Sequence, residues 1–310
     1  MPENPLTAIL NREEAEKHAQ EHFGDQVALL RDLSDYGSNL VIRAFNSSAK
    51  DLPPIIACGV LLKQVVAMLD AVHTLVAAGM VHAAFLPARA AFEASMYLDW
   101  LLFSDTERKA TAYIVSNYRD ERVWVARVTK GTSEEAIFDA MSKSIGLDIH
   151  ARRPTLAADA QKHLAEVNRI LPQRAFAAMD KEFDQAKGKK QKYDPEWYQL
   201  CGAKSIRQVA QQVGRLLEYE FFYSKGSQIT HTASFKDHIR FTKGQVHFKP
   251  IRHLQGIDQL LNFVVAIAVR SFQNTLRYYR PGELAAFSKK YLDDWRKPFM
   301  TVKKVKYNFE

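Results

Sequence analysis

Residues 53–103 read PPIIACGVLLKQVVAMLDAVHTLVAAGMVHAAFLPARAAFEASMYLDWLLF, and this stretch decides the fold. Paired prolines suit a first helical turn, where no amide donor is needed, so Pro53 and Pro54 open a helix that runs from Ile55 to Ala78. Gly79 ends it. The next helix, from Met80 to about Phe103, carries Phe85, Phe92, Met96, Leu98 and Leu101, with Pro87 marking a kink or a late start. Helices apolar nearly all round belong at the centre of a large helical domain. Working outward, Asp105 caps a helix from Glu107 to Thr129 whose Tyr113, Tyr118, Val123 and Trp124 supply aromatic core. Upstream lie a polar helix over residues 12–24 and a second from Asp25 to about Ser47, with Val27, Leu30, Leu33 and Val41 as its apolar positions. Four consecutive long helices joined by short turns predict an up-and-down bundle.

The middle third, Gly131 to Lys204, has weaker periodicity and is interrupted by Pro154, Pro172, Gly188 and Pro195, which reads as short helices and loops laid over the bundle. Helical spacing resumes from Ser205 to Ser224, bent at Gly214. Beyond His231 the period falls to two. Ile239, Phe241, Val246 and Phe248 alternate with polar residues around Lys243-Gly244, predicting one β-hairpin near residues 238–249. Helices from about His253 to Tyr279 and from Gly282 to Trp295, the latter started by Pro281, complete the chain. The expectation is an all-α fold with one hairpin, a single domain over residues 1–310 in which helices 12–48 and 253–296 pack on the region between them.

Composition agrees. With 47% hydrophobic and 25% charged residues the 310-residue chain has the make-up of an ordinary soluble globular protein, and 13 glycines with 11 prolines are too few for a β-sandwich or barrel. Two cysteines, Cys58 and Cys201, far apart and without a CxxC, exclude a disulfide framework or zinc ribbon and fit a reducing cytoplasm. The start, MPENPLTAILNREEAEKH, lacks the basic patch and apolar run of a signal peptide. Ala71 to Ala88 has no Lys, Arg, Asp or Glu, but His73, Gly79, His82 and Pro87 interrupt it, and Ile257 to Val269 is too short to span, so both read as core helices and no membrane is expected. The net charge of +8 favours anionic partners such as RNA. Part of the excess sits at Lys187, Lys189, Lys190 and Lys192 in a loop, a candidate nucleic-acid contact, and part at Lys303, Lys304 and Lys306 near the end. Basic runs without interleaved aromatics also serve simply to solubilise.

Three polar constellations compete for the chemistry. His18-Ala-Gln-Glu21-His22 spells the H-x-x-E-H of inverted zinc peptidases, yet its segment is polar almost all round, whereas a catalytic zinc helix needs a buried second layer to orient the imidazoles. No metal or other cofactor is expected. Arg12 and His18 have the loose spacing of an Arg–His ribonuclease pair, but Glu13, Glu14 and Glu16 would repel a phosphate backbone. The third is better placed. Arg89 and Glu93 lie four apart on one face of an apolar helix, where charges are costly unless paired. Residues 219–231, YEFFYSKGSQITH, set Tyr219, Tyr223, Ser227 and His231 at successive i, i+4 positions, and Gly226 beside them allows a neighbour to approach closely. Two polar stripes on apolar helices are expected to face each other. As a catalytic site, His231 is the acid–base group, Arg89 clamps an anion, Glu93 orients Arg89 or His231, and Tyr223 or Ser227 donates to substrate oxygens. As a structural network, the same residues satisfy a buried Arg–Glu pair and fix helix register.

These residues also carry a resemblance. Residues 78–102, AGMVHAAFLPARAAFEASMYLDWLL with its R-x-x-x-E, followed by Trp197, the helix at Ser205 to Gly214 and Y-x-x-x-S-x-x-x-H, resemble the domain of unknown function 5677 family over roughly residues 55–235. The resemblance implies that Arg89, Glu93, Tyr223, Ser227 and His231 are the matching positions, and it confers no activity. The functional expectation is an intracellular hydrolase or nuclease acting on a phosphate-containing substrate such as RNA. Its rival is a non-enzymatic helical interaction or regulatory protein, active as a homodimer.

Overall fold

The computed structural model describes residues 9–46, 51–146, 153–188, 193–223, 226, 229, 235–242 and 244–305. Their regular secondary structure is helical apart from one antiparallel hairpin and an isolated bridge. Helix α1 (Arg12–Asn46) joins the two helices expected over residues 12–47; Phe23, at φ −135° and ψ 20°, leaves the helical region and marks the kink between them. Helices α2 (Leu52–Ala77), α3 (Val81–Phe103) and α4 (Thr106–Val128) follow, with Pro87 lying inside α3 without ending it. Asp105 does occupy the position before α4, but its backbone is left-handed (φ 49°) and its side chain makes no capping hydrogen bond. A capping side chain ordinarily acts from an extended backbone, which Asp105 does not have.

Next come α5 (Ser133–Ser144), α6 (Arg153–Ile170), α7 (Arg174–Ala186), α8 (Ile206–Gln212) and the short α9 (Leu216–Glu218), which widens into a π-turn at Tyr219–Tyr223. Strands β1 (Ile239–Thr242) and β2 (Gln245–Phe248) pair Ile239 with Phe248 and Phe241 with Val246, as the alternation requires. Helix α10 (Ile257–Tyr279) starts after Gly256 and not at His253, because His253 is held in an isolated bridge to Met80. A 3-10 turn at Pro281–Glu283, α11 (Leu284–Lys290), a π-turn at Tyr291–Trp295 and α12 (Arg296–Met300) end the described chain.

Contacts divide the chain into two compact units, residues 1–50, 58–104 and 207–310 in one, and 51–57 and 105–206 in the other. In the first, α3 packs along α10, and α10 packs along α1. Phe92, Met96 and Trp100 of α3, Leu261, Val264, Ala268 and Phe272 of α10, and Leu30, Leu33 and Leu40 of α1 are all buried. Each large side chain so buried contributes about 1.5–3 kcal/mol against exposure. In α2, Leu62, Val65, Leu69, Val72 and Val76 form one buried stripe. Among the described residues α2 is the single helix long and apolar enough to cross a membrane, with 44% of its most apolar window buried inside the chain. Farther along, Trp295 donates its indole N–H to Asp32 at 2.7 Å, and the Tyr36 ring lies 5.2 Å from the Trp295 ring.

The second unit is built on α4, which packs against α5, α6 and α7. Val125, Val128 and Ala160 are buried there beneath Phe138 and Leu164. The sequence pattern groups α4 with α1–α3 and makes the middle third a covering of short pieces. In the structure α4 instead centres a unit of its own with that middle third, because its charged positions Arg119 and Arg122 find their acidic partners at Asp180, Asp184 and Asp194.

Candidate functional site

The expected bend at Gly214 is a full stop. Gly214 has φ +69°, its N–H donates to Gln211 at 3.1 Å, and the Arg215 N–H reaches back to Ala210 at 2.7 Å. This pair of bonds closes the end of α8 and requires a left-handed residue, which glycine adopts without cost. The reversal brings the next side chain, Arg215, under the surface at 1% exposure. Its Nη1 donates to Ser95 Oγ at 2.8 Å and to Asp99 Oδ2 at 3.1 Å, while Nε and Nη2 donate to Glu218 Oε2 at 2.9 and 2.6 Å. The guanidinium also lies 4.8 Å from the centre of the Phe92 ring. Asp99, itself buried, accepts further from Arg270 Nε at 2.6 Å and from Asn274 Nδ2 at 2.7 Å. Ser271 donates to Ser95, and Arg270 Nη2 donates to the Val213 carbonyl at 3.0 Å. A buried carboxylate is tolerated only when donors replace its lost water, and four side-chain donors converge on the Ser95–Asp99 turn of α3 to do so.

One helical turn and more toward the start of α3, the two sequence motifs meet. Arg89 Nε donates to Glu93 Oε1 at 3.2 Å, and the Arg89 guanidinium sits 4.2 Å over the Tyr223 ring. Tyr223 in turn stacks on Tyr219 with ring centres 4.6 Å apart. The close approach depends on Gly226: a Cβ added there would fall 2.8 Å from both Cβ and Cδ of Arg89. Burial raises the Glu93 carboxyl above its ordinary range, against the opposing pull of Arg89. Arg89 and Glu93 keep 21% and 31% of their side chains exposed, so the pair is reachable from solvent. Ser227 and His231, the other two members of the expected site, lie outside the described residues.

The remaining candidates fall elsewhere. Lys187 pairs with Asp194 at 3.1 Å in the second unit, and Lys189, Lys190 and Lys192 lie outside the described residues. His18 and His22 sit exposed on α1 with ring centres 5.8 Å apart. Among the described residues no group of three or more His, Cys, Asp and Glu side chains is placed to hold a metal ion. Sequence reasoning missed Ser95, Asp99, Arg215, Arg270 and Asn274. The one signal available was an acid, Asp99, set in the most apolar face of α3 four residues after a serine.

The helical architecture and the paired motifs define an all-α protein with a polar centre on α3. Residues 55–246 match the family of unknown function DUF5677, and the chain belongs to that family. Comparison with curated proteins and with solved structures gives no match.

Proposed function

We propose that this protein is an enzyme, a hydrolase or nuclease, acting on a phosphate-containing substrate such as RNA where Arg89, Glu93 and Tyr223 meet. One observation carries the reading: Arg89 is held at 3.2 Å by Glu93 and lies 4.2 Å over Tyr223, so two motifs far apart in the chain share one partly exposed cationic centre. Arg89 clamps a phosphoryl oxygen, since a guanidinium offers paired donors to an oxyanion. Glu93 positions Arg89, and the Tyr223 hydroxyl donates to the substrate. His231, one further motif step beyond Ser227, moves the proton, with Ser227 as an added donor. The +8 charge draws a polyanion toward the molecule, and the lysines at 187, 189, 190 and 192 form a second contact for it.

The test is RNA integrity over time with wild type, His231→Ala and Arg89→Lys, with melting temperatures taken from the same preparations. Wild type cleaves; His231→Ala slows cleavage by about 100-fold or more, the usual worth of an acid–base group, with an unchanged melting temperature. Arg89→Lys keeps the charge but loses the fork geometry, and slows cleavage by roughly tenfold. RNA left intact by wild type rejects the reading.

A second reading, a non-enzymatic interaction or regulatory protein acting as a homodimer, is favoured by the fact that Arg89 already has an ion-pair partner and an aromatic face. Under it Arg89→Ala costs about 1–3 kcal/mol of stability, more than an exposed pair and less than a fully buried one, and RNA stays intact.

A further inference from the structure

Over Asp99 the first unit opens into a cleft of about 490 Å³, walled by Asp99, Arg270, Asn274, Arg277, Tyr278 and Phe103. That is within the range of sites for small organic ligands, which combine apolar walls with a few placed polar groups. Its charge is unbalanced. Two guanidiniums, Arg270 and Arg277, face one carboxylate, and that carboxylate is already engaged by Arg215, Arg270 and Asn274. Arg270 spends Nε on Asp99 and Nη2 on the Val213 carbonyl, which leaves Nη1 without an acceptor among the described residues. Arg277 is exposed, and its one hydrogen bond among the described residues is a long 3.4 Å contact to Asn274 Oδ1. Arg270, Asn274 and Arg277 follow one another at i, i+4 and i+7, so both cations project from the same face of α10.

Leu102 and Phe103 add an apolar part to the lining. Phe103, at the end of α3, is 71% exposed and lines the same cleft as the two arginines, so its ring is open to a flat ligand body. The buried Asp99–Arg215–Ser95 network beneath is saturated and rigid, which holds the floor of the cleft in place with no ligand bound. Inorganic phosphate would use the arginines and leave Phe103 idle; a neutral aromatic would do the reverse.

We propose that this cleft binds an organic anion with a flat body, of the nucleoside monophosphate class, its phosphate on Arg277 and Arg270 Nη1 and its ring against Phe103. The site is separate from the Arg89 centre and does not depend on the reading of that centre as catalytic.

The experiment is calorimetric titration of the full chain at low salt with AMP, adenosine and inorganic phosphate in separate arms, repeated with Arg277→Gln and Phe103→Ala. Both side chains are exposed, so each variant folds, and a melting curve on each checks this. AMP is expected to bind at one equivalent and more tightly than either fragment, with about tenfold weakening in each variant, the scale of one charged contact or one covered ring. Absence of heat with millimolar AMP overturns the proposal, as does AMP affinity untouched by both substitutions. Phosphate binding as tightly as AMP rejects the flat body, and adenosine binding as tightly rejects the anion.

Discussion

Among the described residues two arginines are buried, one per unit, and they are satisfied in different ways. Arg119 in the second unit donates Nε to Asp194 at 2.6 Å, Nη1 to the Asp180 side chain at 2.5 Å and backbone at 3.0 Å, and Nη2 to Asp184 at 2.7 Å. Its acids are shared with Arg122 and Lys187, so three cations face three carboxylates and the set is closed. Burial pushes the Asp194 carboxyl upward, but the hydrogen bonds from Arg119 and Lys187 outweigh it and hold the group below its ordinary range. Arg215 in the first unit holds Glu218 through Nε and Nη2 but shares Asp99 with Arg270, and the set opens onto a cleft edged by Arg277. A closed network uses its charges to join α4 to α7. An open one leaves cationic capacity for something else.

The largest effect that would break this comparison is Arg119→Ala. Removing the hub leaves three carboxylates with only Arg122 and Lys187 to answer them, and a loss of about 3–5 kcal/mol is expected in urea unfolding, since an abandoned buried charge costs more than the pair gained. A loss below about 1 kcal/mol, the worth of an exposed pair, would show that the network is ornamental. Asp99→Asn keeps the shape of the carboxylate but removes its charge, and should cost less, about 2–3 kcal/mol, because water can enter the cleft side of the set. Equal losses for the two substitutions would erase the distinction between closed and open.

A partly buried histidine sharpens it. An arginine cannot shed its proton, so burial forces it to find partners; a histidine can, and His253 does. Burial first, then His82, Lys249 and His238, against the pull of Asp237, push it from the usual 6.5 down to about 4. The His82 ring lies 5.4 Å from that of His238 and 6.4 Å from that of His253. With the folded value below the unfolded one, the unfolded chain binds the proton more readily between about pH 6.5 and 4. The stabilisation is therefore complete above about pH 6.5 and is lost as pH falls toward 4. Melting temperature should drop across that window, and His253→Gln should flatten the drop by a few degrees; an unchanged slope would mean that His253 is charged in the fold.

The fold was legible where its determinants are local. The apolar run from Pro53 to Phe103, Gly79 at the end of α2, and the alternation from Ile239 to Phe248 each act within a few residues, and each appears where periodicity puts it. The Arg89–Glu93 pair was legible for the same reason, being one helical turn apart. Asp99 was not, because its partners stand 116 and 171 residues away and no spacing rule connects them. Likewise α4 looked like a fourth bundle helix from its length, while its true neighbours were set by Arg119, whose acids lie 61 to 75 residues downstream. The Gly214 stop was half legible: glycine announces an interruption, but bend or break depends on the bonds the following amide makes.

The two thiols have a consequence of another kind. Burial pushes Cys58 up to about 11 against a hydrogen bond with Tyr279, and burial pushes Cys201 to about 11 against Arg108 and Lys109. At neutral pH a thiol so shifted is about one part in ten thousand thiolate, which slows alkylation of the folded chain. Cys58 falls in the first unit and Cys201 in the second. Cys58 is fully buried, so its modification awaits the opening of the first unit, whereas Cys201 is only partly covered; the unaltered chain thus carries in Cys58 a clock for the lifetime of that unit.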